Sequence, residues 1–161
     1  ADRTTAKEYI AITVGAPDRD RDMIDKPIGI HPYQREKMAI RSGHETSREA
    51  QTFYEVQQRF RGFAVVKMLP KTGRTHQIRV HLAHIGYPVL CDRLYGGRAE
   101  IKRGELSGDL SDQEVILGRQ ALHAHRIQLK HPISKELMEF VAPIPDDMQR
   151  TIELLNELRK K

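Results

Sequence analysis

The sequence predicts an α+β fold, with a mixed, mainly antiparallel sheet and helices packed on it. Three observations predict this. Residues 9–14 alternate in polarity, and the runs 50–56 and 63–69 are joined through a tight turn at Arg61-Gly62. Residues 122–129 and 135–141 make a second strand pair. Two stretches, 75–85 and 146–159, repeat apolar residues at helical spacing.

In the first strand, Ile10, Ile12 and Val14 share one face, and Tyr9, Ala11 and Thr13 share the other. Tyr9 reads equally as a strand aromatic on a half-buried sheet, but it lies off the aliphatic face. Gly15 and Pro17 end the run. Residues 18–43 are mostly polar and rich in turn formers, and read as a solvated connector with basic character from Arg35, Lys37 and Arg41. Residues 88–97 are expected to be a loop in which Asp92 caps, pairs with Arg93 or sits near a ligand, and is read as structural or as an orienter of nearby basic groups. Residues 99–118 are expected to be a variable surface excursion. The closing helix should bury Met148, Ile152, Leu155 and Leu158, with Asp146 and Asp147 at its start and Arg159 and Lys160 at its end, the favourable sense for the helix dipole.

The most informative stretch is Lys71-Thr-Gly-Arg-Thr-His-Gln-Ile-Arg-Val-His81. It follows an apolar strand broken by Pro70, turns at Gly73, and enters the helix carrying Ile78, Leu82 and Ile85. Thr75 is the expected N-cap, and Gly86 with Pro88 the expected stop. Arg74, His76 and Arg79 therefore gather near a helix N-terminus, where free N–H groups and guanidinium groups attract phosphate or carboxylate. The same charges also fit a solvated face over an ordinary core helix. The segment is not a nucleotide P-loop, because it has one glycine and its lysine precedes that glycine.

With 161 residues the chain suits one domain, spanning residues 1–161. It has 27 Lys+Arg against 22 Asp+Glu, a formal net charge of +5, and a pI of about 9.4. This balance tolerates a polyanionic partner without demanding one. The single Cys91 excludes an intramolecular disulfide, no apolar stretch approaches membrane-spanning length, and the expected setting is cytoplasmic. His123 and His125 share a strand face, and His81 with His84 lies at helical spacing, but no cysteine or carboxylate ligands accompany them at metal spacing, so no metal is expected.

The run from Gly73 to His81 is followed by Gly86-Tyr-Pro-Val-Leu-Cys-Asp92-Arg-Leu-Tyr95-Gly96, then Leu122-His-Ala124 and Phe140-Val-Ala-Pro-Ile-Pro145-Asp146. Together these resemble the RluA-like family of RNA pseudouridine synthases, in order from about Lys7 to Asp146. The resemblance implies isomerisation of uridine to pseudouridine in RNA, ribosomal or transfer RNA, with no metal or organic cofactor. It implies that Tyr9, in its Lys7-x-Tyr9 setting, packs against the target base, and that Arg74 pairs with a nucleophilic aspartate. Leu122 is implied to line the base pocket, and Lys71, His76 and Arg79 to contact RNA, although Arg79 also reads as a structural arginine. The 18–43 loop is a further candidate for phosphate contact.

The family's nucleophile lies in a His-Arg-Leu-Asp segment ahead of the Lys-x-Tyr strand, and this sequence has no such segment. The expectation is a C-terminal portion of a catalytic domain, incomplete at its N-terminus and inactive alone. An unpaired sheet edge or exposed apolar face is then also expected. The alternative is a catalytically inactive RNA-binding module on the same scaffold.

Overall fold

In the computed structural model, residues 5–161 are described. Strand β1 (Ala6–Val14) runs through the middle of a six-stranded sheet, with Ala11, Ile12 and Thr13 fully buried, so both faces of the strand are covered. Strand β2 (Arg21–Asp25) and the short hairpin β3 (Ile28–Ile30) and β4 (Met38–Ile40) follow. Next come β5 (Gln51–Phe60) and β6 (Phe63–Pro70), the expected antiparallel hairpin, each longer than the apolar runs alone implied.

The chain continues through α1 (Gln77–His84), α2 (Arg93–Gly96), β7 (Ile101–Lys102), α3 (Arg103–Ser107) and β8 (Val115–Leu117). It finishes with β9 (Leu122–Lys130), β10 (Leu137–Val141) and α4 (Asp146–Leu158). The α+β class is the one expected. The large sheet has the order β10-β9-β1-β6-β5-β2, and its pairings among the described residues are antiparallel.

Two segments differ from the sequence reading. Residues 18–43 are not a plain connector, because β2 forms one edge of the large sheet and Ile24 and Ile28 are buried. The signal is weak because β2 buries one residue, Ile24, between an exposed Met23 and an exposed Asp25. Nor are residues 99–118 a surface excursion. Ile101, Leu106, Ile116 and Leu117 are each at most 5% exposed and join the main core, where α4 packs on α3 and β8. At about 1.5–3 kcal/mol per buried aliphatic side chain, these four anchor the segment firmly. Gly104 makes the tight fold possible, since a Cβ there would collide with the backbone oxygens of Asp109 and Asp112.

Helix α4 also turns further than its apolar stripe implied. It buries Met148, Thr151, Leu154 and Leu155, leaving Ile152 and Leu158 half-buried. Thr151 is tolerated inside because its hydroxyl donates to the Asp147 carbonyl at 2.7 Å.

Three features position the site. Helix α1 packs against β4, β5 and β6. Strand β1 keeps continuous register with β6, pairing Tyr9 with Met68. Against β9 the register slips, from Glu8 opposite Arg126 to Tyr9 opposite Ala124, so β9 carries one extra residue beside Tyr9. Such bulges bend a strand and re-aim its side chains.

Candidate active site

The end of β6, the turn into α1, the start of β1 and the start of β9 enclose an open pocket of about 210 Å³. Tyr9, Lys7, Arg74, His76, Arg79 and Leu122 line it. Five of the six predicted site residues therefore meet in one place, although they are spread over more than a hundred positions of sequence. Lys71 is the exception: it is exposed at the end of β6 and does not line the pocket. Leu122 and Tyr9 are half-buried on adjoining strands.

The entry into α1 is built differently from the expected Thr75 cap. His76 takes the N-cap position in the left-handed region, at φ 55° and ψ 19°, with no side-chain cap. A non-glycine residue there is uncommon, and histidine is among the types enriched in it. The exit is as expected: Gly86 takes φ 93° and donates to the Ala83 carbonyl.

Arg74 is exposed, and its Nε donates to the Glu49 carbonyl at 2.7 Å. Among the described residues, neither terminal nitrogen of its guanidinium has a partner. The head group is thus held by its neck, and the side chain forms part of the pocket lining. That suits a bidentate anion.

The other two basic residues are already engaged. Arg79 makes two bonds to Asp92, at 2.8 and 2.9 Å, and stacks over the Tyr95 ring at 5.0 Å. Asp92 is 1% exposed, caps α2 through the Tyr95 N–H, and pairs with Arg79 rather than with Arg93. Expected among the RNA contacts, Arg79 is thus committed to the fold, because a carboxylate that deep needs a charged partner. His76 sits against Tyr95. The Tyr95 hydroxyl accepts the Met38 N–H at 2.8 Å and lies 2.7 Å from His76 Nδ1. Burial, with Arg79 beside it, lowers the His76 pKa. The ring shares this hydrogen bond with Tyr95, whose own pKa burial raises.

None of the described residues lining this pocket is an aspartate or glutamate. Among the described residues there is also no group of three or more histidine, cysteine or acidic side chains that could hold a metal. His123 and His125 both donate to the Ala142 carbonyl, at 3.0 and 2.8 Å. Cys91 is buried, and burial pushes its thiol up to about 11, so it is no nucleophile at neutral pH. No helix among the described residues is long and apolar enough to cross a membrane.

The sequence reading missed three buried polar residues under the pocket: Thr52, Gln77 and His81, each at most 4% exposed. The available signal was the placement of Gln77 and His81 four residues apart, on the same side of α1 as its core residues.

The model for the RNA pseudouridylate synthase family matches residues 1–84, about half of the chain. Ribosomal large subunit pseudouridine synthase D of Pasteurella multocida is 42% identical over 153 residues, covering 95% of this chain and 46% of that protein. The protein of the same name from Escherichia coli is 40% identical over 153 residues, covering 95% and 45%. The chain therefore spans about half the length of the curated relatives it matches. Among solved structures, human RNA Pseudouridylate Synthase Domain Containing 4 superposes with a TM-score of 0.74 at 25% identity, covering 96% of this chain and 63% of that one. Human RNA Pseudouridylate Synthase Domain Containing 1 shares the fold, with a TM-score of 0.68 at 24% identity over 99% and 69%. From a matched family model and relatives 40–42% identical along nearly its whole length, the chain belongs to the RNA pseudouridylate synthase family.

Proposed function

We propose that residues 1–161 act as one unit in converting uridine to pseudouridine in ribosomal RNA, supplying Arg74 and Tyr9 to a site whose nucleophilic carboxylate comes from polypeptide beyond them. The observation that carries this reading is the guanidinium of Arg74, anchored at Nε and part of the lining of a pocket to which none of the described residues brings a carboxylate. The ribosomal substrate is taken from the names of the relatives, which favour an enzyme over a silent binding module.

In the reaction the C1′–N1 bond of uridine breaks, the base turns, and a C5–C1′ bond forms. The proton leaves C5 and N1 ends protonated, so atoms and electrons balance without a redox partner. Arg74 keeps the attacking carboxylate ionised and oriented through a charge-assisted pair. Tyr9 offers its ring face to the base and its hydroxyl to the proton in transit. Extruding a base from a helix costs a few kcal/mol, roughly. Exposed cations such as Lys7 and Lys71 offset part of this through phosphate contacts. The proposed setting is the cytoplasm, where a lone thiol such as Cys91 stays reduced.

The test is tritium release from ribosomal RNA labelled at uridine C5. The 161-residue chain is expected to be silent alone, and a longer polypeptide that adds a carboxylate-bearing segment to be active. In that enzyme Arg74→Ala should lower turnover about 10²–10³-fold, with a much smaller loss of RNA affinity. Turnover by the chain alone overturns the external carboxylate, and near-normal turnover of Arg74→Ala overturns the role of Arg74.

A further inference from the structure

Beneath the pocket, a continuous series of hydrogen bonds runs from the Lys26 carbonyl to the backbone of Arg74. His81 Nε2 meets the Lys26 carbonyl at 2.9 Å, and His81 Nδ1 meets Thr52 Oγ1 at 2.7 Å. Gln77 Nε2 donates to Thr52 Oγ1 and to the Gln51 carbonyl, both at 2.9 Å. Gln77 Oε1 accepts the Arg74 N–H at 3.0 Å and the Thr72 hydroxyl at 2.7 Å. Thr72 Oγ1 in turn accepts the Gln51 N–H at 3.1 Å.

The direction of every bond is forced. A carbonyl only accepts, so His81 Nε2 carries the proton. Burial lowers the pKa of His81, with His84 adding to that and the Lys26 carbonyl and Asp25 opposing it, so the ring is neutral and Nδ1 is bare. Thr52 must then donate to Nδ1, which leaves its oxygen to accept from Gln77 Nε2. The Gln51 carbonyl and the Arg74 N–H hold the Gln77 amide in the same sense, with its nitrogen towards β5 and its oxygen towards Arg74. The opposite histidine tautomer would set a bare Nε2 against the Lys26 carbonyl and turn the Thr52 hydroxyl proton away from Nδ1.

We propose that His81, Thr52 and Gln77 are positioning residues for Arg74, forming a one-way relay that fixes the turn at residues 72–74 and so aims the guanidinium into the pocket. Both anchors of Arg74, its N–H through Gln77 and its Nε on the Glu49 carbonyl, lead to the start of β5. The relay orders the turn before any ligand arrives, which is what a preorganised site requires. This role rests on the reading that Arg74 works at the pocket.

The test uses the isotopically labelled chain first, then the active enzyme. In the wild-type chain, nitrogen spectra should show His81 as the neutral Nε2–H tautomer; the Nδ1–H tautomer overturns the relay without any variant. Thr52→Val removes the hydroxyl at nearly constant shape, and Thr52→Ser keeps it. Hydrogen exchange at the Arg74 amide should rise about tenfold in Thr52→Val and stay near wild type in Thr52→Ser, with core amides such as that of Val66 unchanged. Unchanged exchange in a folded Thr52→Val chain overturns the relay.

In the active enzyme, Thr52→Val should lower kcat about tenfold with KM for RNA unchanged, and Thr52→Ser should restore it. A Thr52→Val enzyme with a freed Arg74 amide and full kcat overturns the positioning role. If instead Arg74→Ala is itself fully active, the functional reading fails while the tautomer and exchange results still decide the relay.

Discussion

Where α1 lies against β5, a glutamine, a threonine and a histidine are buried to 4% exposure or less, each with its hydrogen bonds made inside the chain. At the other end of the sheet, on edge strand β10, Leu137, Phe140 and Val141 stand 65%, 52% and 57% exposed. The groove beside them, about 390 Å³, shares Lys7 and Tyr9 with the pocket. Side-chain type thus fails to predict burial in both places, for one reason. A polar group is buried without loss when every donor finds an acceptor, and an apolar group stays exposed when no element packs over it. Among the described residues the α1 flank is closed and internally satisfied, and the β10 flank is open.

The largest test breaks the closed flank. Asp92→Ala strands the Arg79 guanidinium, whose side chain is only 16% exposed, and should cost about 3–5 kcal/mol in urea unfolding. The Arg119–Asp147 pair has the same two-bond geometry at 2.8 Å, but its side chains are 44% and 39% exposed. Asp147→Ala should cost about 1 kcal/mol or less. Equal losses at the two sites would mean that burial does not set what such a pair is worth.

A smaller effect comes from acid. The pKa values of His81 and His76 are both lowered in the folded state, chiefly by burial. Below about pH 6.5 the unfolded chain takes up protons at these rings and the folded chain does not. Stability is therefore flat above that pH and falls as pH drops below it, by at most about 1.4 kcal/mol per pH unit per ring. Unfolding measured from pH 7.5 to 5 checks the slope, and His76→Asn should remove its own share. A slope unchanged in His76→Asn would show that His76 titrates alike in both states.

The smallest effect belongs to the open flank. Phe140→Ser should leave stability within about 0.5 kcal/mol while reducing self-association in light scattering. A loss above about 1.5 kcal/mol would mean that Phe140 is core.

Much of this arrangement was legible from local pattern. The alternation in β1, the Arg61-Gly62 turn, the helical spacing of α1 with its stop at Gly86, and the β9–β10 pair are short-range signals, and each element formed where its signal lay. The pocket was legible too, because Tyr9, Arg74 and Leu122 do converge. What stayed hidden depends on partners distant in sequence. Nothing near Arg79 says that it serves Asp92, thirteen residues on. Nothing near Thr52 says that a glutamine and a histidine 25 and 29 residues later will bury it. Strand β2 and the segment around Ile101 and Leu117 bury too few residues in a row to announce themselves.

The extra residue in β9 opposite Glu8 and Tyr9 gives that strand one point at which a change in chain length can be absorbed. Side chains in a strand alternate with a period of two. Deleting His125 would restore plain register there and leave every later residue of β9 opposite its present partner in β1, on the same side of the sheet. For this strand, losing that one residue straightens a kink rather than inverting a face.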